Sequence, residues 1–267
     1  NILNANPVIA DCQFDDNVSY AMAMTPGASP SFSGNQANGN GADVIGVHGG
    51  VITGDVQWVR DTLPYRVIND VTVLVEGQLT IAPGVVVEFQ DTSDDLFIDG
   101  TLIAEGNASN RIRFTSSKTE KAPNQWGAVL IRDTSNDVET RLNYCDFEYG
   151  GAFRAELLAL QQSSPTVENC RFSNSRDRGV TLQGSSSRIA FNAFQSNTGY
   201  AIVMDLASFP VFEQNSVDGN GSDSIGVEGG TLATSGRWVR DNIPYTIMHD
   251  VIVGVESILT IDPGGIV

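Results

Sequence analysis

Positive charge is scarce in this sequence. Its 267 residues carry 15 Lys and Arg against 32 Asp and Glu, a formal net charge of −17, and Lys118 and Lys121 are the only lysines. Proteins that bind nucleic acid need a cationic face for the phosphate backbone. The composition therefore predicts no nucleic-acid partner.

Long apolar runs are also lacking. None approaches the roughly 20 residues of a membrane-spanning helix, so we expect no membrane insertion. The chain begins at Asn1 without a charged and then apolar leader, and we expect both ends to be cut from a longer protein. With 41% hydrophobic and 18% charged residues it is too apolar for disorder, and a folded core is expected.

An internal repeat is the strongest signal in the sequence. Residues 1–87 align without a gap to residues 181–267, and 36 of the 87 positions are identical. The densest match pairs "WVRDTLPYRVINDV" from Trp58 with "WVRDNIPYTIMHDV" from Trp238. The chain thus holds about one and a half copies of a 180-residue unit, which is typical of a repeat architecture.

Short β-branched and aromatic runs recur between Gly, Ser, Asn and Asp turns, which predicts an all-β fold. The best helical candidate, "RAELLALQQ" from Arg154, is short. Six runs share one ordered pattern. An apolar residue is followed by any two residues, then by Cys or Asn, then by any one residue, and finally by a second apolar residue. They are Ile9/Cys12/Phe14, Phe32/Asn35/Ala37, Leu142/Cys145/Phe147, Val167/Cys170/Phe172, Ile189/Asn192/Phe194 and Phe212/Asn215/Val217.

Five positions separate the two apolar residues, so a straight strand would place them on opposite faces. A bend at the Cys or Asn returns both to the inside. This is the corner of a parallel β-helix, in which small polar residues stack between coils about 4.8 Å apart. We therefore predict a single-stranded, right-handed parallel β-helix of about 11 coils, with a structural ladder of Cys12, Asn35, Cys145, Cys170, Asn192 and Asn215.

The segments at 58–89, 96–117 and 126–151 resemble the right-handed parallel β-helix repeat proteins of bacteria, in the pectin-lyase-like superfamily. In that group the W…PY…LTI-x-PG segment usually opens a β-helix domain. The resemblance thus implies the last coils of one unit at 1–43, a complete unit at 44–222, and the first coils of another at 223–267. It implies little about function, because the fold carries enzymes, adhesins and fibres.

Residues retained in both copies have two interpretations. Trp58, Tyr65, Trp238 and Tyr245 either cover the open end of a helix, with Arg60 and Asp61 as a local ion pair, or form a sugar-binding platform. We favour end covering. The two histidines are not retained, since His48 aligns with Glu228 and His249 with Asn69, which argues against a catalytic base.

Calcium is the one cofactor with a local signal. Asp91 and Asp95, and likewise Asp133 and Asp137, place oxygen ligands at the first and fifth positions of a turn. The glycine-rich loop with Asp218, Asn220 and Asp223 is similar. The alternative is that these residues are ordinary turn formers and that the protein has no cofactor.

The three cysteines occupy corner positions, so we expect buried thiols and no disulfide framework. Three N-x-S sequons, at Asn17, Asn107 and Asn220, carry little meaning if the source is bacterial.

The sequence favours a non-enzymatic, extracellular or cell-surface solenoid that acts as a rod, adhesin or filament, because stacked repeats build length. Its expected partners are further copies of itself, head to tail, and surface glycans. The alternative is a carbohydrate-active enzyme or binding module for acidic polysaccharide.

Overall fold

The computed structural model describes residues 1–266, which wind into a parallel β-solenoid of about 11 turns. The all-β prediction is confirmed, and every pairing between its strands is parallel. The strands are β1 (Val8–Ala10), β2 (Gln13–Asp15), β3 (Tyr20–Met24), β4 (Ser31–Ser33), β5 (Gln36–Asn38), β6 (Ala42–Ile52), β7 (Asp55–Trp58), β8 (Tyr65–Val73), β9 (Gln78–Ile81), β10 (Val86–Phe89), β11 (Leu96–Ile98), β12 (Thr101–Glu105), β13 (Ile112–Ser116), β14 (Val129–Ile131), β15 (Arg141–Asn143), β16 (Cys145–Glu148), β17 (Glu156–Gln161), β18 (Thr166–Glu168), β19 (Arg171–Ser173), β20 (Arg178–Gln183), β21 (Arg188–Ala190), β22 (Ala193–Gln195), β23 (Tyr200–Met204), β24 (Val211–Glu213), β25 (Ser216–Asp218), β26 (Ser222–Val227), β27 (Gly230–Leu232), β28 (Gly236–Trp238), β29 (Tyr245–Ile247), β30 (Val251–Val253) and β31 (Leu259–Ile261).

Three sheets surround the core. We call β10, β13, β16, β19, β22 and β25 the first sheet, β11, β14, β17, β20, β23 and β26 the second sheet, and β7, β9, β12, β15, β18, β21 and β24 the third sheet. The long strand β8 pairs with β10 through its first half and with β11 through its second half, so it joins the first and second sheets. The short helical candidate that begins at Arg154 instead contains strand β17 of the second sheet.

The interior is a set of stacked apolar rows, because the same position of every coil points inward. In the first sheet Phe114, Phe147, Phe172 and Phe194 stack almost parallel, with ring centroids 4.6, 5.0 and 5.1 Å apart. All four are fully buried. Offset stacking of this kind adds to the stabilisation that burial of each ring provides.

Successive 180-residue units meet at a junction that occurs twice. In the first, Met22 pairs with Ile45, and Ile45 pairs with Tyr65; in the second, Ile202 pairs with Ile225, and Ile225 with Tyr245. The second sheet therefore runs on through β26 into β29. Within residues 1–266, the first and third sheets end at β25 and β24. The predicted boundaries at 43/44 and 222/223 fall inside β6 and β26, so one strand belongs to both units.

Candidate functional site

A ladder of side-chain hydrogen bonds follows the corner between the third and first sheets. The Cys170 N–H donates to Oδ1 of Asn192 at 2.8 Å, and the Asn192 N–H donates to Oδ1 of Asn215 at 3.0 Å. Nδ2 of Asn192 donates back to the Val167 carbonyl at 3.0 Å. Each side-chain amide thus forms hydrogen bonds with backbone groups that have no sheet partner at the bend. Buried polar groups need such partners. Cys145 lies one coil before Cys170, and both are buried free thiols.

Aspartates end this ladder at each junction. Nδ2 of Asn215 donates to Oδ2 of Asp241 at 2.8 Å, and Nδ2 of Asn35 donates to Oδ2 of Asp61 at 2.7 Å. A carboxylate accepts hydrogen bonds but cannot donate one, so its side chain cannot extend the ladder to the next coil. The expected ion pair of Arg60 with Asp61 is not formed, because Nη1 of Arg60 donates to Oδ1 of Asn110 instead.

Cys12 differs from the other cysteines. Its backbone N–H donates to Oδ1 of Asn35 at 3.1 Å, which places it at the ladder corner. Its side chain is exposed, contrary to the expectation of a buried thiol. The reason is that, among residues 1–266, no coil stacks on its outer side, whereas Cys145 and Cys170 have a coil on each side.

A second ladder, which the sequence reasoning missed, follows the corner between the first and second sheets. The Ser175 N–H donates to Oδ1 of Asn197, Nδ2 of Asn197 donates to Oδ1 of Asn220, and Nδ2 of Asn220 donates to Oδ1 of Asp223. Asn17, Asn40 and Asp43 repeat its last three members. Each asparagine follows the first-ladder residue of its coil by five positions, and this spacing is the signal that could have revealed the ladder.

The four retained aromatic residues are part of the core, which corrects both interpretations made from the sequence. Trp58 stacks on Tyr65 with ring centroids 5.2 Å apart, and Trp238 on Tyr245 at 5.3 Å. All four side chains are buried, so they neither cover an open end nor face a glycan. They lie inside because the strand stack is continuous through the junction and leaves no open end there.

The two strand-end loops with paired aspartates use most of their carboxylates for hydrogen bonds. Oδ1 of Asp95 accepts from the Ala128 N–H at 2.8 Å, and its Oδ2 accepts from Nη2 of Arg154 at 2.9 Å. Burial nevertheless raises the pKa of Asp95. Asp91 lies 3.4 Å from Lys118. In the other loop, Oδ1 of Asp137 accepts from Ser163, while Asp133 is exposed.

The junction loop is also explained by hydrogen bonds. Asp223 accepts from the N–H groups of Gly219 and Asn220 and from Nδ2 of Asn220, and these bonds lower its pKa. A Cβ on Gly221 would lie 2.2 Å from the Thr198 carbonyl oxygen, so the second ladder requires this glycine. Asp218 is the last residue of β25. Across residues 1–266, no group of three or more His, Cys, Asp or Glu side chains is placed to hold a metal ion. Calcium binding stays an untested prediction.

An arginine-lined groove lies on the outer face of the first sheet. It has a volume of about 360 Å³, and its lining includes Arg60, Arg111, Arg113, Arg171 and Asp146. Four of the 15 cationic residues of this acidic chain therefore converge on one surface. Strand alternation explains the placement, since Arg113, Asp146 and Arg171 are register partners on adjacent strands and point outward between the buried phenylalanines.

Two of these arginines keep donors available. Arg111 is engaged with Oδ1 of Asp146 at 2.7 Å and with two backbone carbonyls. By contrast, Nε of Arg113 lies 3.8 Å from Glu148, and Nη1 of Arg171 lies 4.0 Å from Asp146, both beyond hydrogen-bond distance. Their side chains are 53% and 59% exposed. The groove can thus present guanidinium groups to an anion.

The most strongly perturbed carboxylic acid is elsewhere, on the second sheet. Burial raises the pKa of Glu156 from 4.5 to about 7, and Thr181 donates a hydrogen bond to its Oε2 at 3.2 Å. Perturbed acids are candidates for catalysis when they face a cleft. The cavities lined by Arg60 and its neighbours do not include Glu156.

Comparisons with known proteins agree with this architecture. Residues 101–248, more than half of the chain, match the family described as "Right handed beta helix region". The Protein bark beetle of Drosophila melanogaster is 35% identical in an alignment of 102 positions, which covers 36% of this chain and 3% of that protein. The chain thus spans a small fraction of that relative's length. No solved structure matches. The matched family settles the hand of the solenoid, and the chain belongs to the right-handed β-helix family.

Proposed function

We propose that this chain is a non-enzymatic structural or adhesive β-solenoid, placed outside the cell or on its surface, in which tandem 180-residue units stack head to tail. One observation carries the proposal: the second sheet continues from one unit into the next at both junctions. Backbone hydrogen bonds and stacked side chains therefore connect the units. A flexible linker would instead let them move independently.

Stacking of this kind suits a load-bearing or spacing role. Each unit contacts mainly its neighbours, so added copies lengthen the rod without closing a new pocket. The partners we propose are further copies of the chain, together with glycans of a cell surface. Residues 1–266 contain no helix that is long and apolar enough to cross a membrane. The matched relative is an insect protein, so a bacterial source forms no part of the proposal.

Electron microscopy over a concentration series tests the head-to-tail assembly. We expect particles that lengthen in steps of about 50 Å, since about 11 coils rise by about 4.8 Å each. The variant Val253→Lys should keep particles single, because it places a charge at a position of β30 whose repeat equivalent, Val73, is fully buried once a further coil covers it. Gln195→Lys, on an exposed position of β22, is the matched control and should assemble. Wild-type particles that stay single at every concentration would refute the assembly.

The arginine-lined groove supports a second candidate, the binding or cleavage of acidic polysaccharide. Carboxylate or sulfate groups of such a polymer would pair with Arg113 and Arg171. Polygalacturonate should then bind more weakly to the double variant Arg113→Ala/Arg171→Ala, and more weakly as salt rises. Arg176→Ala removes an exposed arginine outside the groove and serves as control. Sustained release of unsaturated sugar products would identify a lyase and contradict the non-enzymatic proposal.

A further inference from the structure

Three sequons occupy different structural positions. Each has the N-x-S pattern that N-linked glycosylation requires, at Asn17, Asn107 and Asn220. The acceptor atom is the side-chain nitrogen Nδ2, so a sequon can carry a glycan in the folded protein only where this atom is accessible and not needed elsewhere. The structure separates Asn107 from Asn220 on this criterion.

Asn107 meets the criterion. It lies in the turn between β12 and β13, and Asn107, Ala108 and Ser109 are all exposed. Its Oδ1 accepts from the N–H groups of Ser109 and Asn110 at 3.1 and 2.9 Å, which fixes the side chain in an Asx turn. Its Nδ2 donates no hydrogen bond to any residue in 1–266.

The sequon at Asn220 fails it because its side chain belongs to the second ladder. Nδ2 of Asn220 donates to the Phe194 carbonyl at 2.9 Å and to Oδ1 of Asp223 at 2.7 Å, so both of its hydrogens are used. A glycan on this nitrogen would remove one of the bonds that hold adjacent coils together at the corner. Asn17 is exposed, and within residues 1–266 its Nδ2 makes one hydrogen bond, to Oδ1 of Asn40 at 2.6 Å, so the criterion does not separate Asn17 from Asn107.

We propose that Asn107 is an acceptor of N-linked glycan and that Asn220 is not glycosylated in the folded protein. The donor is a lipid-pyrophosphate-linked oligosaccharide, used by an oligosaccharyltransferase. A bond forms between Nδ2 and the anomeric carbon of the sugar, the bond from that carbon to the pyrophosphate oxygen breaks, and Nδ2 loses one proton. The lipid pyrophosphate leaves.

The glycan would stand beside the arginine-lined groove, because Ala108, Ser109 and Asn110 form part of its lining. A glycosylated chain should therefore bind polygalacturonate more weakly than the same chain after enzymatic removal of the glycan. The inference rests on the proposed extracellular location, since transfer takes place in a secretory pathway. It does not depend on head-to-tail assembly, so failure of either leaves the other intact.

Secretion of the 267-residue chain from insect cells, behind a cleavable signal peptide, tests the proposal. Glycopeptide mass spectrometry before and after peptide-N-glycosidase treatment should show a glycan on Asn107 and none on Asn220. Ser109→Ala should abolish it, because the sequon loses its hydroxyl while the backbone N–H that orients Asn107 remains. Ser109→Thr keeps the sequon and should keep the glycan, which separates loss of the acceptor from loss of folding.

Ser19→Ala and Ser222→Ala are the matched controls, since each removes one hydroxyl from another sequon. Both should retain the glycan on Asn107. A secreted, folded wild-type chain without a glycan on Asn107 would overturn the proposal, and so would a glycan found on Asn220.

Discussion

The strands that follow the two junctions have nearly the same sequence and different surroundings. Val73 and Ile81, after the first junction, are 0% and 1% exposed. Their repeat equivalents, Val253 and Ile261, are 46% and 43% exposed. The strand pairings on the inner side are the same, but among residues 1–266 the second set has no coil on its outer side.

This difference shows that burial in a solenoid belongs to the stack more than to the local sequence. The same "LTI-x-PG" segment, from Leu79 or Leu259, is core in one copy and surface in the other. Stability is then set largely by contacts between neighbouring coils. Substitutions at equivalent positions in covered and open coils should therefore have unequal effects.

The largest contrast is expected at the phenylalanine stack. Phe194→Ala should lower the free energy of unfolding by about 3–5 kcal/mol, because it leaves a cavity beside Phe172. Phe14→Ala, at the equivalent position of the first coil, should cost less than half as much, since Phe14 is only half-buried. Denaturant unfolding measures both. If Phe194→Ala is too unstable to purify, Phe194→Leu should still lose more than Phe14→Leu. Equal losses would contradict the contrast.

At the other end of the stack, Ile81→Ala should cost about 2–4 kcal/mol and Ile261→Ala less than about 1 kcal/mol. The reason is that Ile81 is enclosed by coils on both sides, while Ile261 already faces solvent in part. Hydrogen exchange at the amides of β9 and β31 reports each site locally. Faster exchange in β31 than in β9 is expected in the wild type, and the reverse would show that the last coil is protected by another copy.

A carboxylic acid in a covered coil and one in the open last coil should change protein stability in opposite directions as pH changes. The folded-state pKa of Glu156 is raised to about 7, so the folded protein keeps a proton that the unfolded chain releases near pH 4.5. Stability is therefore lost as pH rises from about 4.5 to 7, by at most about 3 kcal/mol. Glu156→Gln should flatten this decline in melting temperature.

Asp262 in the last coil supplies the control, because its hydrogen bond with Arg237 lowers its pKa. Its contribution is present above the usual pKa of 3.8 and lost only as pH falls below it. Asp262→Asn should leave the dependence between pH 5 and 8 unchanged. A wild-type stability that is flat from pH 5 to 8 would count against a buried, protonated Glu156.

The smallest contrast concerns the first ladder. Asn192→Ala should cost about 1–3 kcal/mol, because the buried N–H of Cys170 loses its acceptor. Cys12→Ala, at the equivalent position, should be nearly neutral, since the Cys12 side chain is exposed and its ladder bond uses only the backbone N–H. Thermal unfolding of the two variants compares them directly. A cost for Cys12→Ala as large as that for Asn192→Ala would show that the first coil is covered in solution.

The sequence predicts the coil because its signal is local. The bend at Asn192 or Asn215 is encoded by six consecutive positions, and the 180-residue shift shows the repeat without a structure. The groove could not be predicted, because Arg60, Asn110 and Arg171 come from coils far apart in sequence. The location of Trp58 and Tyr65 was misjudged for a related reason: whether a coil has a neighbour on both sides is a property of the stack, and the segment itself is the same in either case.

The continuation of the second sheet into the strands that open the next unit also sets the phase of the repeat around the solenoid axis. Ile225 pairs both with Ile202 of one unit and with Tyr245 of the next. The face of the solenoid on which each unit starts therefore stacks on a different face of the unit before it. Equivalent surfaces of consecutive units consequently point in different directions. A tandem array would therefore repeat any one surface of the unit, such as the arginine-lined groove, in a spiral around the rod.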